Sequence, residues 1–173
     1  MASPEDRHRL EVAERQLGLV MGFFPRIDSK VSALFAIASA EIAVAILNVG
    51  PDDLKAWLIT VPLVAFLLVI GLTIFNLYRC AYPHLDGGRQ SLVYFAEIAK
   101  LDQANYIAAY RGLNVSDLTD DLCSQVHRNS EILDKKYGYL RTATKAVMWS
   151  LLPWTLFLLA TSLSHWRAPL LGG

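Results

Sequence analysis

The chain has 173 residues, 54% of them hydrophobic, with 16 basic and 16 acidic side chains and a formal net charge of +0. That apolar share is too high for a small soluble domain with an ordinary wet surface, and the absent net charge gives no ground for nucleic acid binding. The length suits one compact unit and excludes a membrane part joined to a large enzyme domain.

The N-terminal stretch reads as an amphipathic helix from about Pro4 to Phe24. Ser3-Pro4-Glu5-Asp6 supplies a cap residue, a proline at the first helical position and acids at the positive dipole end. Leu10, Ala13, Leu17, Val20 and Phe24 recur at steps of three and four, while Arg9, Glu11, Glu14 and Arg15 lie off that stripe. Mixed charge on the polar face favours packing on another helix over lying in lipid. The first residues carry no apolar signal-peptide core. Pro25 then predicts a kink or restart, and Arg26, Asp28 and Lys30 mark a membrane entry.

Two apolar runs follow, joined by a short acidic turn. Val31–Val49 carries one carboxylate, Glu41; Trp57–Tyr78 carries no charge and is long enough, at about 1.5 Å per residue, to cross a bilayer core. Gly50-Pro51-Asp52-Asp53 stops the first helix, so the two spans form an antiparallel hairpin. In the first span, Ser32, Ala36 and Ala40 form one small-residue face, and Ala33, Ser39 and Ala43 another. Small residues at such spacing let backbones approach inside lipid, either within the hairpin or between subunits.

Tyr78 and Arg79 suit the membrane interface, and a turn-rich connector, Tyr82 to Arg89, comes next. A helix is expected from Ser91 to Arg111, ended at Gly112. Ser116-Asp117 should cap a longer one. In it Leu118, Leu122, Val126, Asn129, Leu133, Tyr137 and Leu140 form a seam close to a heptad, which together with the small-residue span predicts a homo-oligomer. This helix should continue into a third apolar run, Ala146–Trp166, kinked at Pro153.

The fold expected is all-α. An N-terminal amphipathic helix (1–26) precedes a transmembrane hairpin (27–78), a cytoplasmic helical hairpin region (79–145) and a third span (146–166). Basic residues set the orientation. Arg7, Arg9, Arg15, Arg26 and Lys30 precede the first span, and Arg79, Arg89, Lys135, Lys136, Arg141 and Lys145 flank the middle region, whereas the other side offers only Lys55 and Arg167. The N-terminus and middle region are therefore expected in the cytoplasm, which leaves the sequon Asn114-Val115-Ser116 unglycosylated.

No catalytic constellation is apparent. A phosphate loop, a nucleophile elbow and a paired-histidine zinc motif are all missing, and His8, His84, His127 and His165 are scattered. Cys80 and Cys123 lie far apart with no repeated pattern, so neither a disulfide framework nor a metal site is expected. A lipid-modifying enzyme would need polar side chains clustered at one interface, and none are seen. The exception is Glu41, about 11 residues and roughly 16 Å beyond Lys30, near mid-bilayer. An ionised side chain there costs on the order of 2–3 kcal/mol. Hairpin pairing sets it opposite Ala65, and the third span offers Thr155 at similar depth. With no basic partner, Glu41 is expected either protonated in a packed interior or facing a polar path built by several subunits.

Three stretches carry a family resemblance: Phe24-Pro25-Arg26-Ile27-Asp28-Ser29-Lys30, Ser91-Leu92-Val93-Tyr94-Phe95-Ala96-Glu97-Ile98-Ala99, and Asp121 to Tyr137 (DLCSQVHRNSEILDKKY). Across about residues 15–165 the chain resembles the Pycsar transmembrane effector family of bacterial antiphage proteins. The resemblance implies a multi-pass inner-membrane protein, activated by cyclic UMP or cyclic CMP from a partner cyclase, that impairs the membrane. It implies no cofactor and no catalysis. A cyclic nucleotide needs a basic group for its phosphate and an aromatic or amide group for its base. The candidates on the cytoplasmic side are Arg89, Tyr94, Gln125, Arg128 and Lys136. The reading from another class is a membrane scaffold or sensor subunit that recruits a protein through its cytoplasmic hairpin.

Overall fold

The structure, a computed structural model, describes residues 3–82 and 90–167. Among the described residues it contains six α-helices and no strand: α1 Pro4–Met21, α2 Phe24–Asn48, α3 Trp57–Ala81, α4 Phe95–Ile98, α5 Gln103–Gly112 and α6 Val115–Arg167. They group into two compact units. One takes in Met1–Ile27 and Tyr82–Lys136; the other takes in Asp28–Ala81 and Tyr137–Gly173.

The second unit holds three helices long and apolar enough to cross a membrane, within α2, α3 and the C-terminal half of α6. Their buried faces share one period. On α3 the buried residues Ile59, Leu63, Phe66, Ile70, Thr73, Leu77 and Cys80 follow alternating steps of four and three. On α2 the buried Ala38, Glu41 and Ala45, with half-buried Val31 and Leu34, do the same, as do the buried Ala143, Val147, Ser150, Phe157 and Thr161 on α6 with half-buried Trp154. A repeat of about 3.5 residues keeps one seam facing its neighbours when helices cross at about 20°. At the centre, Phe66 and Phe157, both fully buried, pack with Ala38, Ala45, Ile59, Leu63 and Ile70. Large apolar side chains such as Leu68, Leu152 and Trp149 point outward, as lipid-facing positions should.

The turn between α2 and α3 is stitched from within. The Gly50 N–H donates to Asp53 Oδ2 at 2.7 Å, and a Cβ on Gly50 would lie 3.2 Å from that oxygen. Asp53 opens a single 3-10 turn, Asp53–Lys55, and its carboxylate also lies 3.2 Å from Nε2 of His165 near the end of α6.

In the first unit, α1 begins with a capping box: Ser3 Oγ accepts the Asp6 N–H and Asp6 Oδ2 accepts the Ser3 N–H, each at 3.1 Å. Hydrogen bonds from the Ser3 side chain and then its backbone hold the Asp6 carboxyl below the usual carboxylate range. The expected stripe is the covered face, with Ala13 buried and Leu10, Leu17 and Val20 half-buried. The helix stops at Met21, earlier than Phe24, and α2 restarts at Phe24 with Pro25 in its first turn, where a missing N–H costs nothing.

Two expectations for this unit are corrected. The single helix over 91–111 is instead the one-turn α4 and the ten-residue α5, because Asp102 caps the backbone of Asn105 at 2.8 Å and starts a new helix. The cap of α6 is Asn114, not Ser116: its Oδ1 accepts the Asp117 N–H at 2.8 Å, and its Nδ2 donates to Asp117 Oδ2 at 2.8 Å. From there α6 runs unbroken to Arg167, as expected for a seam that continues into the third apolar run.

Candidate functional site

Glu41 is 5% exposed in the three-helix unit and is held from α6. The Ser150 hydroxyl has two acceptors in reach, Glu41 Oε2 at 2.8 Å and the Val147 carbonyl oxygen at 2.7 Å. One helical turn on, the Trp154 indole N–H donates to the backbone carbonyl of Glu41 at 3.0 Å. The other carboxyl oxygen, Oε1, is buried without a hydrogen-bond partner among the described residues. Within the single chain the Glu41 carboxyl is packed against α6.

The partner is not Thr155, whose hydroxyl donates to the Leu151 carbonyl and faces outward. Thr155 lies five residues, more than a turn, beyond Ser150 on α6. Packing sets Arg141, not Lys145, nearly level with Lys30: Glu41 lies 11 residues beyond Lys30, and Ser150 lies 9 beyond Arg141. A serine at a buried heptad position of the third span was the signal that could have found this contact.

The small-residue faces of α2 are not its buried faces. Ser32, Ala36 and Ala40, and likewise Ala33, Ser39 and Ala43, are all exposed, while Ala38, Glu41 and Ala45 carry the contacts within the unit. Close backbone approach within the hairpin therefore does not explain them.

A second polar region lies in the first unit, on α6. Its covered face carries Leu122, Gln125, Ile132 and Lys136; Leu122 and Leu140 of the expected seam are buried, but between them the covered face is displaced by one position. Val126 and Leu133 flank this face and are only half-buried, and Tyr137 is exposed. Gln125 is 3% exposed and its Nε2 has no hydrogen-bond partner among the described residues. One turn earlier, Asp121 Oδ2 accepts the Leu92 N–H at 2.9 Å and ties down the turn before α4. In that turn the buried Ser91 hydroxyl accepts the N–H groups of Val93 at 3.1 Å and Tyr94 at 2.9 Å. Tyr94 meets Phe95 edge-on, their ring centroids 5.0 Å apart.

Of the five ligand candidates, Arg89 lies outside the described residues. Tyr94 sits in the turn anchored to Asp121, and Gln125 is the next turn of that same helix. Arg128 donates to Glu131 at 3.0 Å, a hydrogen bond that lowers the Glu131 carboxyl from its usual range. Lys136, 8% exposed, lies 11 residues past Gln125, about 16 Å along the helix axis. The Leu92–Asp121 hydrogen bond ties the turn that holds Tyr94 to α6 one turn before Gln125; Lys136 stands three turns further along α6. Asp121 and Ser91, which organise that turn, were not among the expected site residues, because neither has the charge or ring sought for a nucleotide.

Three apolar helices, one of them with a buried carboxylate, and a separate helical unit with a polar covered face define a multi-pass membrane protein. The match to known sequences makes the class specific: the model of the Pycsar effector protein domain covers residues 12–162. The chain belongs to that family and is, at the family level, a membrane effector of Pycsar antiphage defence. No curated protein and no solved structure matches it significantly.

Proposed function

We propose that this chain is a non-enzymatic effector of the bacterial inner membrane, with its N-terminus in the cytoplasm. On binding cyclic UMP or cyclic CMP through its cytoplasmic helical unit, it impairs the membrane as a homo-oligomer. The observation that carries this reading is the Glu41 carboxylate. An ionised group at this depth costs on the order of 2–3 kcal/mol, and a leucine would fill the same seam without that cost. A carboxylate kept where packing does not need it is best understood as part of a polar path. The exposed serine and alanine faces of α2 support assembly, since small side chains are how helices associate where lipid removes the hydrophobic drive. Movement of α6 would act on Glu41 through Ser150 and Trp154.

Gln125 supports the ligand reading, because a buried amide donor without a partner is costly and a base carbonyl would satisfy it. The test is a membrane-potential dye in cells given cyclic UMP or cyclic CMP. The parent should depolarise the cells, whereas Glu41→Gln and Glu41→Leu should insert and remain largely silent. Depolarisation by Glu41→Leu at the parental level would reduce Glu41 to a packing residue. Calorimetry of Gln125→Ala against each nucleotide tests the binding arm separately; unchanged affinity would place the site elsewhere.

A further inference from the structure

A cavity of about 540 Å³ opens between the start of α2 and the α6 segment just ahead of its apolar run. Three of its lining side chains are cations, Lys30, Arg141 and Lys145, and no acidic residue lines it. Among the described residues none of the three is engaged in an ion pair or hydrogen bond. Unpaired cations gathered at one cavity repel one another, so the arrangement is complementary to an anion. The rest of the wall points to which anion. Ala33 and Leu34, one turn beyond Lys30 on α2, and Leu140 on α6 give the cavity an apolar wall, and Tyr137 also lines it.

The depth is equally informative. Lys30 is the last charged residue of α2 before the apolar stretch that contains only Glu41, and Lys145 is the last before the uncharged run of α6. The cations therefore lie where the apolar segments of α2 and α6 begin, next to the apolar wall. A phosphodiester could come from a soluble nucleotide or from a lipid. A nucleotide would present its base and sugar, both polar, to that wall, whereas a phospholipid presents acyl chains. We propose that this cavity is a binding site for an anionic phospholipid, its phosphodiester held by Lys30, Arg141 and Lys145 and its acyl chains running past Ala33 and Leu34. Basic pockets between spanning helices at this level are suited to such headgroups.

The test is native mass spectrometry of the full chain in detergent, with added palmitoyl-oleoyl phosphatidylglycerol or the matched phosphatidylcholine. The parent should retain phosphatidylglycerol well above phosphatidylcholine, and each cation changed to Gln should lower that retention roughly fivefold. Lys55→Gln, outside the cavity, should leave it unchanged. Ala33→Phe keeps every charge but crowds the apolar wall, and it should also lose the preference. Equal retention of the two lipids by the parent would overturn the proposal, as would full retention of phosphatidylglycerol by the triple Gln variant. Undiminished selectivity in Ala33→Phe would reduce the effect to surface charge and overturn it too. Binding of cyclic UMP or cyclic CMP that is lost in the triple variant, with no lipid preference, would assign the cavity to the nucleotide instead.

Discussion

Ser150 and Glu41 meet at 2.8 Å, and the same hydroxyl lies 2.7 Å from the Val147 carbonyl oxygen. One hydroxyl hydrogen can serve only one of these acceptors at a time. An amide at position 41 brings hydrogens of its own. Glu41→Gln should therefore match or exceed the parent in thermal unfolding in detergent. Ser150→Ala should cost about 1–3 kcal/mol, since it leaves the buried carboxylate without its donor. A Glu41→Gln variant clearly less stable than Ser150→Ala would contradict this hydrogen count.

The Asp53–His165 contact is lopsided, with side chains 6% and 60% exposed respectively. The buried partner also accepts the Gly50 N–H. Asp53→Ala should then lower stability by about 1–3 kcal/mol, because a backbone donor loses its acceptor. His165→Ala should cost under about 1 kcal/mol, as an exposed partner does. Unfolding curves of the two variants decide it, and equal losses would mean the imidazole contact dominates.

At the Arg79 end of α3, the guanidinium donates to the Tyr139 hydroxyl at 2.8 Å and lies 5.2 Å from that ring centroid. Tyr139→Phe removes the hydrogen bond and keeps the ring face; Arg79→Ala removes both. A double-mutant cycle of Arg79→Ala with Tyr139→Ala should give a coupling of about 0.5–1 kcal/mol, typical of an exposed cation over an aromatic ring. Zero coupling would make the contact incidental.

If the exposed faces of α2 join subunits, larger side chains there should separate them. Ala36→Leu and Ala40→Leu are expected to insert and fold normally, since neither position is buried in the single chain. They should nevertheless reduce crosslinked oligomer in membranes. Oligomer yield equal to the parent would remove this face from the assembly.

The Ser3–Asp6 box makes the first turn of α1 sensitive to acid. Folding lowers the Asp6 carboxyl from its usual range. Its contribution is therefore present above the ordinary carboxylate range and is lost as pH falls through the lowered folded value. Hydrogen exchange at the first-turn amides, corrected for intrinsic rates, should rise in that acid window for the parent. Ser3→Ala should already show raised exchange at neutral pH. A flat profile in the parent would show that the box does not hold the turn.

Much of this architecture was legible in the residues. Long apolar runs, uncharged in α3 and the end of α6 and broken only by Glu41 in α2, marked the three helices long and apolar enough to span, because a backbone in lipid must satisfy itself within a helix. Ser3-Pro4-Glu5-Asp6 marked the start of α1 through purely local hydrogen bonds. The continuity of α6 followed from the lack of a break between the seam ending at Leu140 and the apolar run from Ala146. Local competition was harder to read: Asp102 and Asn114 both won caps that apolar pattern alone assigned elsewhere.

The sequence by itself determined that the chain is helical, that three segments suit a bilayer, and that one carboxylate sits deep among apolar neighbours. These depend on composition and short-range spacing, which need no knowledge of what packs on what. Only the tertiary structure decided which side chains meet. The axial stagger of α2 against α6 matched Glu41 with Ser150 instead of Thr155. The rotation of α6 buried Gln125 and Lys136 and left Tyr137 outside. Stagger and rotation arise from how two whole helix surfaces interlock, so no single residue encodes them.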